Sequence, residues 1–128
     1  METKKDILNR LFVENNLTSE DVFKHQHYTI ITRSGIDKIQ SANDIEITYN
    51  LEYNSADCKC VIIKAAATMG DRAIETYGEA SPSNNTNSYP VAMAEKRAMS
   101  RAVLKLAGFY EHQVFGEDES ESFKRSNN

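Results

Sequence analysis

The chain has 128 residues, 27% of them charged, with a formal net charge of −4. That length supports one domain with a real core, and the acidic balance argues against a protein that coats nucleic acid indiscriminately. No apolar run is long enough to cross a membrane and "METKKDILNR" is no signal peptide, so a cytoplasmic protein without membrane attachment is expected. In chain order, "KKDILNRLFVENNL" predicts a helix with Ile7, Leu8, Leu11 and Phe12 on one face, stopped by Asn15 and Asn16. "TSEDVFKH" predicts a short turn capped by Thr18 or Ser19. "HYTIIT" reads as a strand, and "RSGIDKIQSAND" as a short helix with Ile36 and Ile39 facing in. "IEITYNLEYN" alternates, placing Ile45, Ile47, Tyr49, Leu51 and Tyr53 on a buried face. "CKCVIIKAAAT" and "RAIETYGEA" follow as two more strands, completing a meander.

Gly78 suggests a bulge or turn before the polar loop "SPSNNTNS". Ser88 is placed to cap a long helix from about Pro90 to Ala107, with Gly108 as its left-handed C′ residue and Phe109 after it. The expected fold class is α+β: an antiparallel β-meander of three to four strands, with helices packed on one face around a β-β-β-α core. Residues 1–116 are expected to form this single domain. Residues 117–128, opening with "EDE", are expected to be an acidic, disordered tail that competes for the same groove as a ligand or recruits proteins.

The long helix holds nearly all the organised positive charge. Lys96, Arg97, Arg101 and Lys105 are opposed inside it only by Glu95. Residues four apart lie above one another, so Arg97, Arg101 and Lys105 form one stripe. It lies roughly opposite a predicted buried arc of Val91, Met99, Ala102, Val103 and Leu106. Such a stripe is what a plain solvated helix shows, and also what an extended anionic partner needs. Lys64, on the face opposite Val61, Ile63 and Ala65, would add to it. Tyr77 and Tyr89 flank the polar loop and are candidates for base stacking. The hydroxyls and amides of Ser81, Ser83, Asn84, Asn85 and Thr86 suit phosphate, though ordinary loop chemistry explains them equally.

Cys58 and Cys60 share a predicted strand face and read as reduced thiols. No further ligands at zinc spacing follow, and His25 and His27 are too isolated to serve, so no metal and no cofactor are expected. No nucleophile elbow, paired metal motif or cysteine–histidine pair with an orienting group emerges, and the chain is not read as an enzyme.

A strand ending in "YGEAS", a polar loop and the helix "MAEKRAMSRAVLKLAGF" together resemble the core of the single-strand annealing proteins, the phage Erf and Sak types and the eukaryotic Rad-fifty-two type. Glu95, Lys96, Arg97, Ala98, Leu104, Lys105 and Phe109 stand in comparable places. The segment from Ile74 to Glu119 is also similar to proteins of phages and mobile elements that carry "GEASP…YPVAMAEKRA". The resemblance covers about a third of the chain well. It implies a homo-oligomer, often a ring, whose groove binds single-stranded DNA, or RNA, through the basic helix and the sheet hairpin.

The leading expectation is therefore a non-enzymatic protein of phage or mobile-element recombination that neutralises a strand's phosphates with Lys64, Lys96, Arg97, Arg101 and Lys105. The alternative is a structural or protein-interaction module, a virion component or host-takeover factor, whose basic helix docks on an acidic surface. A third reading is a double-stranded-RNA-binding-like module with its α-β-β-β-α order. An exposed stripe carries a sharp consequence: Arg101→Glu should abolish binding and leave the fold intact.

Overall fold

The computed structural model describes residues 2–84 and 88–119. The first helix, α1 (Lys4–Glu14), starts at a capping box in which Thr3 and Asp6 bond each other's backbone N–H. Thr18 caps a short 3-10 turn in the same way with Asp21. After that turn the structure departs from the sequence expectation. Two short strands, β1 (Val22–His25) and β2 (Tyr28–Ile31), form an antiparallel hairpin. Then comes α2 (Arg33–Ala42), capped by Thr32, with Ile36 and Ile39 fully buried.

The expected meander is present: β3 (Glu46–Asn54), β4 (Val61–Met69) and β5 (Arg72–Ala80), antiparallel in that order. Helix α3 (Pro90–Leu106) follows. Its end is the predicted glycine stop. Gly108 has φ of +87°, and Phe109 donates its N–H back to the Leu104 carbonyl at 2.9 Å. The start differs. The N-cap is Tyr89 rather than Ser88, and the Tyr89 side chain makes no capping bond. A third short strand, β6 (Val114–Gly116), pairs in parallel with β2, making a second three-stranded sheet, β1-β2-β6. Neither β1 nor β6 is long enough to show a period in sequence. The molecule is α+β, with a β-meander and a second small sheet.

α3 lies between the two sheets. Toward β5 its backbone comes unusually close, because the strand carries glycine there. A Cβ built on Gly78 would stand 1.9 Å from the Ala94 carbonyl oxygen and 2.4 Å from the Ala98 nitrogen. Gly78 is thus neither bulge nor turn but the seat of the helix. Thr76, one pleat away, donates to the Ala98 carbonyl at 2.7 Å. Toward β6, a Cβ on Gly116 would meet the Ser100 hydroxyl oxygen at 2.8 Å. Small residues on both partners let the helix backbone sit low enough for both sheets to cover it.

Register explains which strand residues α3 covers. Leu51, Ile63 and Gly78 form one cross-strand row, so Leu51 shares the helix-bearing face, as do Ile47 and Tyr49. The face is the expected one, but its cover is not. The helix lies over β4 and β5, leaving Leu51 59% exposed on the edge strand. Tyr53 is a further correction. The register slips between Leu51 and Tyr53, and Tyr53 pairs with Ile62. A single extra residue moves every later side chain to the other face. Tyr53 therefore stands on the open face of the sheet with Ile62 rather than in the core. Cys58 and Cys60 precede β4 rather than sharing a strand. Cys58 is exposed with φ of +61°, and both thiols are free.

Candidate nucleic-acid interface

The stripe expected on the solvent side of α3 does not form. Arg97 is 1% exposed. Its guanidinium donates to the Glu79 carbonyl at 2.8 Å and the Asp118 carbonyl at 3.1 Å. It also donates to Asn84, at 3.0 Å to the side-chain oxygen and 2.6 Å to the backbone carbonyl. Arg101 is similarly engaged. Its two Nη groups grip the Glu79 carboxylate at 2.8 and 2.9 Å. Nε and Nη2 grip Glu119 at 2.5 and 3.0 Å, and Nη1 also reaches the Tyr77 carbonyl at 2.6 Å. Those bonds use all five guanidinium donors, so none is left for a phosphate in this conformation.

The physical reason lies in sheet topology. β5 is an edge strand, and residues 77 and 79 direct their carbonyls to the same outer side. The arginines of α3 satisfy that edge and shield it from other strands. Periodicity puts Arg97 on the solvent side because a sheet covers a helix on one face. β6 and the segment after it cover that side too. The buried residues of α3, from Ala94 and Arg97 to Ser100, Leu104 and Leu106, consequently run around the whole helix, while Val91 of the predicted arc is exposed.

The acidic end is corrected at the same time. Residues 117–119 are helical, and Asp118 and Glu119 are buried. Glu117 accepts the Arg33 backbone N–H at 2.6 Å, and Asp118 accepts the Arg33 guanidinium at 3.1 Å. Three residues of the expected tail thus belong to the folded domain. Residues 120–128 lie outside the described residues, as do Asn85 and Thr86 of the loop.

The Glu79 carboxyl is held below its ordinary value of 4.5, chiefly by its hydrogen bonds from Arg101. Glu79 therefore gives up its proton more readily folded than unfolded. Its contribution to stability is complete above 4.5 and is lost as pH falls through the lower folded value. Asp21, held down chiefly by Lys38, acts in the same direction. Urea midpoints taken from about pH 7 to about pH 3 should fall across that window, and Glu79→Gln should flatten the decline.

The other predicted residues are dispersed. Lys64 and Tyr77 are direct cross-strand partners on the open sheet face. Lys64 is claimed by Glu75 at 3.3 Å and Glu52 at 3.6 Å, which raise its pKa, and Tyr77 is 51% exposed. Lys105 is exposed near the far end of α3, its ammonium 5.1 Å from the Tyr110 ring centre. Lys96 is half-buried.

Tyr89, 68% exposed, stands on the wall of an open groove of about 920 Å³. The β3–β4 turn forms one side through Asp57 and Lys59. The start of α3 forms the other through Val91, Ala92 and Glu95, with Ser81 between. α3 begins here at Pro90, which has no N–H to leave unpaired. Lys96 stands one turn beyond Ala92. Beyond Glu95 lies Tyr49, whose phenol is pushed up to about 12 by burial and, secondarily, by that carboxylate. Lys59 was not singled out from the sequence, where it is one charge between two cysteines. Only the fold of the turn brings it opposite Tyr89.

Among the described residues no cluster of histidine, cysteine and carboxylates could hold a metal, and no helix is long and apolar enough to cross a membrane. Compared with protein-family models, with curated proteins and with solved structures, the chain matches none.

Proposed function

We propose that the chain is a non-enzymatic single-stranded-nucleic-acid-binding protein of the annealing type, taking DNA or RNA by its backbone and working as a homo-oligomer. The observation that carries this reading is the open groove at the start of α3. Exposed Tyr89 supplies a stacking surface there and Lys59 a cation. Backbone neutralisation with stacking on one aromatic holds a strand extended without reading its bases. Lys96, one turn beyond Ala92 on the same side of α3, is the next cation along it, whereas Lys105 stands on the opposite side of the helix. In this reading Arg97 and Arg101 hold the fold, and the phosphate contacts fall to two lysines, Lys59 and Lys96.

Fluorescence-anisotropy titration with a labelled oligothymidylate tests the proposal. Two lysines at about 0.7 each give a log–log salt slope of about −1.4. Tyr89→Ala should weaken binding by about 1–3 kcal/mol without moving the unfolding transition. No binding at low salt would reject the reading.

A second reading, a structural or protein-interaction module, has its own observation. Tyr53, Ile62 and Tyr77 are exposed together on the open sheet face, beside Glu52 and Glu75. Light scattering with and without oligonucleotide separates the two. A monomer indifferent to nucleic acid favours this second reading, and an assembly that binds favours the first.

A further inference from the structure

We infer that residues 117–119 occupy, in cis, an anion site that takes nucleic-acid phosphates when the segment lifts away. The inference rests on the nucleic-acid reading above and adds its regulation.

The site is built from two helices. The first backbone N–H of α2, on Arg33, points at the Glu117 carboxylate at 2.6 Å. The Arg33 guanidinium meets Asp118 at 3.1 Å, and that side chain is still 47% exposed. From α3, Arg101 binds both oxygens of Glu119. Three consecutive acidic residues thus take a helix N-terminal N–H, one bond from the Arg33 guanidinium and the two-bond fork of Arg101, donors that also suit phosphate. Asn84, held by Arg97, lies three residues from Ser81 on the groove wall and accepts its backbone N–H, which links the site to the groove.

The segment is suited to exchange. It follows a strand of only three residues, and its hold on α2 and α3 is largely electrostatic. Tethering gives it a high local concentration, so it excludes weak anions, whereas a polyanionic strand already seated in the groove offers several phosphates at once. Lifting the segment would free Arg33, the Glu119-facing side of Arg101 and the Arg97 Nε that now donates to the Asp118 carbonyl. Arg97 would keep its bonds to Glu79 and Asn84 and hold the helix in place.

The test compares the intact chain with the full-length double variant Asp118→Asn, Glu119→Gln, which keeps the volume and removes the competing charge. Circular dichroism checks folding, and anisotropy with labelled oligothymidylate is read over a salt series. The variant should bind at least about threefold tighter at low salt, with a log–log slope steeper by about 1.4 for two added phosphate contacts. A folded variant with the intact chain's affinity and slope would overturn the inference and leave the groove reading standing. No binding by either protein would end both. Should the double variant not fold, Glu119→Gln alone is the substitute, with the same expected direction. If that also unfolds, the segment is a structural clamp and the inference fails.

Discussion

Arg101→Glu is expected to cost the protein about 3–5 kcal/mol of folding stability, the range for removing one partner of a buried charge pair. The substitution deletes every bond from Arg101 to Glu79, Glu119 and the Tyr77 carbonyl, and puts a third carboxylate between the two already there. Against a total stability of about 5–15 kcal/mol, that is a large share of what holds the fold together. Urea denaturation followed by circular dichroism reads it directly. Lys105→Glu is the control. It lies exposed on the same helix and should stay within about ±0.5 kcal/mol. This outcome reverses the expectation drawn from the stripe, under which Arg101→Glu loses binding and keeps the fold. If Arg101→Glu is as stable as the parent, the clamp on the β5 edge is not what holds Arg101, and the stripe regains its claim on phosphate.

Gly78→Ala should be as damaging with a single added methyl. Its Cβ would sit 1.9 Å from the Ala94 carbonyl oxygen and 2.4 Å from the Ala98 nitrogen. Both are helix backbone and have no rotamer to change, so α3 must rise off the sheet. The loss should reach or exceed the upper end of the usual overpacking range of about 1–3 kcal/mol. The Thr76 bond to the Ala98 carbonyl would be stretched with it. Thermal unfolding of Gly78→Ala beside Gly70→Ala makes the comparison informative. Nothing lies within 4 Å of a Cβ at Gly70, whose cost comes only from its φ of +62°. Equal losses at the two positions would mean that the helix seat is not tight.

Both predictions turn on residues whose type was legible in the sequence and whose role was not. The alanines of α3 signalled close packing, but not that Gly78 would be the surface packed upon. The four-residue spacing of Arg97, Arg101 and Lys105 was plain. What the spacing omits is the far side of the helix. The signal that would have helped was the acidic "EDE" after the helix, together with Glu79 before it. Within α3 itself the stripe faces no acid but Glu95; its partners lie outside the helix.

Local rules were decided by the sequence itself. The helix stop at Gly108 and Phe109, the Thr18 cap, the inward Ile36 and Ile39, and the three strands of the meander all follow from interactions within a few residues. Such interactions are written in the chain at short range, which is why period and capping residues reveal them. Tertiary structure alone decided the rest: the parallel pairing of β2 with β6, the slip that turns Tyr53 outward, the burial of Arg97 and the groove joining Lys59 to Tyr89. Each depends on segments far apart in sequence meeting. A buried arginine is stable only where distant carbonyls and carboxylates converge on it, and no local pattern records that convergence.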